Sequence, residues 1–199
     1  MGQYYMAILG DSHGLNCKVF DRSVEGEYML AKLMEHSWWQ NPFCNSFAKR
    51  LYKIKKRVCW VGDYADNNGD FYFANNSAFY TPCYKEVWGE GVKTLTSPVT
   101  DFTLDHKFLL NHDTKEYVDL DEYKEKSIDK DGWVIHPLPL LTAVGNDRGS
   151  GDFHEGNVGD EFVGLWAWHL LSILDKPPKT YKKFDLTFKE ERGDEYEAA

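Results

Sequence analysis

The segment from Gly145 to His154, Gly-Asn-Asp-Arg-Gly-Ser-Gly-Asp-Phe-His, concentrates groups that can do chemistry. Gly149 and Gly151 permit positive φ and a close backbone approach, so successive amide N–H groups can face an anion. Arg148 adds a planar fork suited to phosphate or carboxylate. Asp147, Asp152 and His154 can orient that fork or contact sugar hydroxyls. The segment is neither a P-loop nor a dinucleotide fingerprint: it has no Gly-Lys-Ser/Thr, and no Gly-x-Gly-x-x-Gly follows a clean strand. Gly-rich loops are more often merely solvated, but Arg, Asp and His together bring the two interpretations level.

A second group is Val61-Gly62-Asp63-Tyr64-Ala65-Asp66 at a strand end. Asp63 and Asp66, three apart beside Tyr64, can hold a ribose, a cation or a water. A turn capped by Asp side chains is the commoner outcome, and the spacing is not an EF-hand. Trp38 and Trp39 offer either core filling, which is favoured, or a stacking wall for a planar ligand. Glu35-His36-Ser37 is no triad, because adjacent residues on a helix do not face one another. The seven histidines form no His-x-x-x-His or His-Glu-x-x-His arrangement, so no metal is expected. His136, before Pro137-Leu138-Pro139, is the preferred histidine beside His154, although a hydrogen-bonded core role is commoner. No cysteine stands in a reactive setting.

These groups need elements to position them. Apolar runs predict strands at Gln3–Leu9, Cys17–Phe20 and Val58–Val61. A hairpin is expected from Phe108–Leu110 to Glu116–Leu120 across Asn111–Lys115. One helix is expected over Tyr28–Trp39. A clearer one starts at Asn41-Pro42, with Phe43, Phe47, Leu51 and Ile54 on one face. Asp121–Asp131 is expected to be charged and solvated, and Trp133–Val144 to be a strand interrupted by Pro137 and Pro139. Phe162–Leu174 fits strand or helix equally, while Tyr181–Phe188 alternates as a last strand. The architecture expected is a single α+β domain over 1–189, mostly antiparallel sheet with one or two packed helices, followed by an acidic, disordered tail at 190–199.

Composition bounds the partners. The 199 residues carry a net charge of −9, with seven Trp, twelve Tyr and twelve Phe. An acidic chain lacks the footprint of a general nucleic-acid binder. No apolar run is long enough to span a membrane. Cys17, Cys44, Cys59 and Cys83, widely and irregularly spaced, fit reduced thiols in a cytoplasm better than a disulfide framework. Lys49, Arg50, Lys53, Lys55, Lys56 and Arg57 form a basic segment within this acidic whole. A homo-oligomer is plausible on symmetry grounds alone.

Met1-Gly2-Gln3-Tyr4-Tyr5, Leu33-Met34-Glu35-His36-Ser37-Trp38, Gly62-Asp63-Tyr64-Ala65-Asp66 and His136-Pro137-Leu138-Pro139-Leu140-Leu141-Thr142-Ala143 extend over much of the chain. Together they resemble an uncharacterised family of phage and bacterial proteins with no established activity. The resemblance implies a protein of the host cytoplasm, associated with phage. By analogy it suggests a counter-defence factor that sequesters an immune signalling nucleotide. The function expected is non-enzymatic binding of a small anionic, nucleotide-like molecule, with no cofactor. Arg148 and loop amides would hold phosphate, Asp63 or Asp66 hydroxyls, and Trp38 the base. The alternatives are a hydrolase of such a molecule using Asp63, Asp152, His136 or His154 as acid and base, and an aromatic-rich inhibitor of a host protein.

Overall fold

The computed structural model describes residues 5–12, 17–20, 37–62, 94–95, 101–129, 131–144 and 160–188. Among them are nine strands of one sheet and three α-helices. In chain order these are β1 (Tyr5–Gly10), β2 (Cys17–Phe20), α1 (Pro42–Lys49), β3 (Lys56–Gly62), β4 (Thr94–Leu95), β5 (Phe108–Asn111) and β6 (Glu116–Asp119). They continue with α2 (Leu120–Ser127), α3 (Pro137–Thr142), β7 (Ala143–Val144), β8 (Leu170–Leu174) and β9 (Lys182–Lys183). The strand order is β4-β2-β1-β3-β8-β5-β6-β9, with β7 also pairing β3. Five of the eight pairings are antiparallel. The chain is therefore α+β, with a mostly antiparallel sheet.

The central strands explain the apolar runs. Val58 and Trp60 of β3 join Tyr5, Ala7 and Leu9 of β1 in the main core, together with Leu109, Val118, Leu171 and Ile173. Cys59 and Val61, on the opposite face, are buried as well. A strand buried on both faces carries no polar alternation, which is why β3 reads as a continuous run. Cys44 and Cys59 are free, buried thiols.

Helix α1 begins as its sequence dictates. Asn41 Oδ1 accepts from the Cys44 amide at 3.1 Å, and Pro42 takes the first position, where it needs no N–H partner. Phe43 and Phe47 then meet the Trp60 ring edge-on, at 5.9 and 4.8 Å between centroids. The stripe expected to continue through Leu51 and Ile54 does not, because the helix stops at Lys49. The chain instead pairs with β8: the Lys53 amide donates to Ile173 O and the Ile173 amide to Leu51 O, both at 2.9 Å. Lys53 takes a φ of 61° in that turn. Leu51 stays buried, while Ile54 is left 52% exposed.

Other expectations are corrected. Only the end of the helix expected over Tyr28–Trp39 is described, and it is not helical: Trp38 bridges Ile135, the Trp39 amide donates to Val134 O, and a turn leads into α1. The charged stretch after Asp119 is helix α2, capped by Asp119 Oδ1 and anchored by buried Leu120 and Tyr123. Pro137 and Pro139 open α3 rather than kinking a strand, because both fall in the first turn, where missing N–H groups cost nothing. In the stretch from Phe162 the ambiguity resolves into a 3₁₀ turn over Asp160–Phe162, further turns, and then β8. The last expected strand shrinks to β9, although Leu186 and Phe188 keep the alternation by turning into the core.

Candidate functional site

Of the residues expected to form a site, Asp63, Tyr64, Asp66, Asp147, Arg148, Gly149, Gly151, Asp152 and His154 lie outside the described residues. The described strands do show where those segments begin. β3 and β7 run parallel, with Trp60 opposite Ala143 and Val61 opposite Val144. The chain continues into Asp63 from one strand end and into Gly145 from the other. Parallel neighbours finish at the same end of a sheet, so Val61 and Val144, near the two strand ends, stand one strand spacing apart, about 4.8 Å.

His136 and Trp38 sit together elsewhere, on the N-terminal side of α3. Trp38 bridges Ile135, and His136 caps the helix, its Nδ1 accepting from the Leu138 amide at 3.2 Å. That bond places the ring proton on Nε2. Complete burial pushes the His136 pKa down to about 3, so the ring is neutral at pH 7. Six helical residues, about 9 Å of rise, separate it from β7. A neutral ring spent on a helix cap is poorly suited to holding phosphate.

The richest polar constellation among the described residues was not legible as a site in the sequence. It gathers where the β5–β6 turn meets the start of β8. His112 Nε2 lies 2.8 Å from Ser172 Oγ, and its Nδ1 lies 2.7 Å from the Tyr181 hydroxyl. Asn111 Nδ2 donates to His169 Nδ1 at 2.7 Å, while Asn111 Oδ1 accepts from the Asp113 amide at 3.0 Å. Asp113 Oδ2 accepts from Arg57 Nη1 at 2.8 Å and from the Leu170 amide at 3.1 Å. Arg57 Nη1 also donates to Trp168 O at 2.7 Å.

Burial, assisted by the nearby Lys55 charge, lowers the His112 pKa to about 4 against the opposing pull of Asp113. Burial also lowers His169, which matches its acceptor role toward Asn111. For Asp113, burial opposes ionisation, but Arg57 and the Leu170 amide outweigh it and hold the carboxyl below its usual range. A hydroxyl hydrogen-bonded to a neutral imidazole is the pairing of an activated nucleophile. Ser172, however, is only 2% exposed, within β8 and opposite Leu110, so little can reach its oxygen. The arrangement works as a strut tying β8, the β5–β6 turn and the approach to β9. The sequence shows only Asn111-His112-Asp113 as a turn; its partners come singly from distant elements.

Among the described residues no group of three or more His, Cys, Asp or Glu is placed to hold a metal ion. None of the described helices is long and apolar enough to cross a membrane. No family model, no curated protein and no solved structure matches this chain.

Proposed function

We propose that the protein binds a small anionic, nucleotide-like molecule without transforming it. The observation that carries this is the parallel β3–β7 pair, whose ends deliver the Asp63 and Gly145 segments from adjacent points. In open α/β sheets ligands sit beyond the carboxyl ends of parallel strands, where successive segments converge, and β3 and β7 offer one such end within this mostly antiparallel sheet. One segment brings Asp63, Tyr64 and Asp66, suited to hydroxyls and a base. The other brings Arg148 with glycine-flanked amides, suited to phosphate. In a phage setting the same chemistry would sequester a signalling nucleotide.

Calorimetric titration and thermal shift against ADP-ribose derivatives and cyclic dinucleotides test this. At least one should bind, and heat denaturation should release it intact. Arg148→Ala should weaken that binding by roughly ten- to a hundredfold, the cost of one charge-assisted bidentate contact. No heat and no shift across the panel would overturn the proposal, and release of a cleaved molecule would replace it with hydrolysis.

A further inference from the structure

We propose that Ser37 and His136 form a closed two-donor site that holds a single internal water molecule. Two bonds flank the Trp38–Ile135 bridge: the Trp39 amide donates to Val134 O at 2.8 Å, and the His136 amide to Ser37 O at 2.6 Å. In the antiparallel register of that bridge Ser37 stands opposite His136, joined by the single bond from the His136 amide. Their side chains therefore share one face, with Cβ atoms about 4.5–5.5 Å apart.

Both residues are completely buried. Both also carry a polar atom with no partner among the described residues, Ser37 Oγ and His136 Nε2. Because Nδ1 accepts from the Leu138 amide, Nε2 bears hydrogen and must donate. Two orphaned groups on opposite residues in a core can be served by one shared partner, and the large majority of buried polar side-chain atoms in native proteins are satisfied.

Size and charge select that partner. Neither residue exposes surface to solvent, so the shared partner must be small enough to be enclosed in the core. The neutral ring offers no countercharge, so a buried anion would stand uncompensated. Water accepts from Nε2–H, exchanges a second bond with the Ser37 hydroxyl, and bridges atoms up to about 5.6 Å apart. This site is independent of the proposed ligand pocket and assigns His136 to the core.

Water-selective NOE spectroscopy on the ¹⁵N-labelled full chain tests the assignment. The His136 Nε2–H should appear and show a cross-peak at the water frequency. That cross-peak should persist in Ser37→Ala, where no serine hydroxyl can relay it. A crystal structure of the unaltered protein gives a second readout: a solvent peak within about 3.2 Å of both Nε2 and Oγ. An Nδ1–H tautomer, a cross-peak that vanishes in Ser37→Ala, or a protein acceptor occupying the position would each overturn it.

Discussion

His112 is held neutral by its surroundings rather than poised to titrate near pH 7. Its pKa falls from 6.5 to about 4 on folding, chiefly through burial. A histidine lowered in this way contributes stability that is complete above the unfolded value. The contribution is lost as pH falls from 6.5 toward 4, because the unfolded chain then binds the extra proton. The full shift would correspond to about 3 kcal/mol. The ring is only half-buried, so solvent screening reduces this to about 1 kcal/mol. Urea unfolding at pH 7 and pH 4.5 should show the protein losing stability with acid. His112→Gln, which cannot titrate, should lose about 1 kcal/mol less over the same interval. Equal losses in the two proteins would show that the ring is more open than its contacts imply. His136 steepens the same acid limb, since its pKa of about 3 extends the window downward.

At the scale of elements, α1 separates two contributions that are usually mixed. Its cap is one hydrogen bond from Asn41, and its docking is Phe47, fully buried against Trp60. Asn41→Ala should cost about 1 kcal/mol, and Phe47→Ala about 3–5 kcal/mol. Denaturant midpoints with unchanged slope would check the ratio, and comparable losses would mean that the helix is held by its cap. Such elements were legible because local signals agreed with tertiary need: Asn41, Pro42 and the Phe43–Phe47 spacing all point the same way. β1, β2, β3 and the β5–β6 hairpin were legible as apolar runs broken by turn formers. Helix α2 was not, because only Leu120 and Tyr123 among its charges enter the core. Helix α3 is not legible in the sequence because proline disfavours a strand interior and a helix interior alike; only its place in the first turn decides. The histidine strut was invisible for a different reason. Arg57, Asn111, His112, Asp113, His169, Ser172 and Tyr181 meet through sheet register, which the linear order does not display. His136 was visible as a residue, but its role as a cap depends on which nitrogen faces the Leu138 amide.

Over the whole molecule, the described sheet has a narrow seam. β3 meets β8 through two residue pairs, Lys56–Leu171 and Arg57–Leu170. On one side lie β4, β2 and β1; on the other, β5, β6 and β9. A seam that short would let the halves unfold separately if backbone pairing alone joined them. Four further links oppose this. The Trp168 amide donates to Val58 O at 2.6 Å, and the turn after α1 trades two bonds with Ile173. Arg57 of β3 is paired with Asp113 at the far hairpin. Most importantly, one apolar cluster takes Tyr5, Val58 and Trp60 from one side and Leu109, Val118, Leu171 and Ile173 from the other. Burial energy shared across the seam should outweigh the few hydrogen bonds along it, making unfolding a single transition. Near- and far-ultraviolet dichroism should therefore coincide, and the Ile8 and Leu109 amides should exchange with the same opening free energy. Leu171→Ala, at the seam, should lower both by the same amount, about 2–5 kcal/mol. If it lowered only the Leu109 side, the two halves would be separate folding units joined by β3.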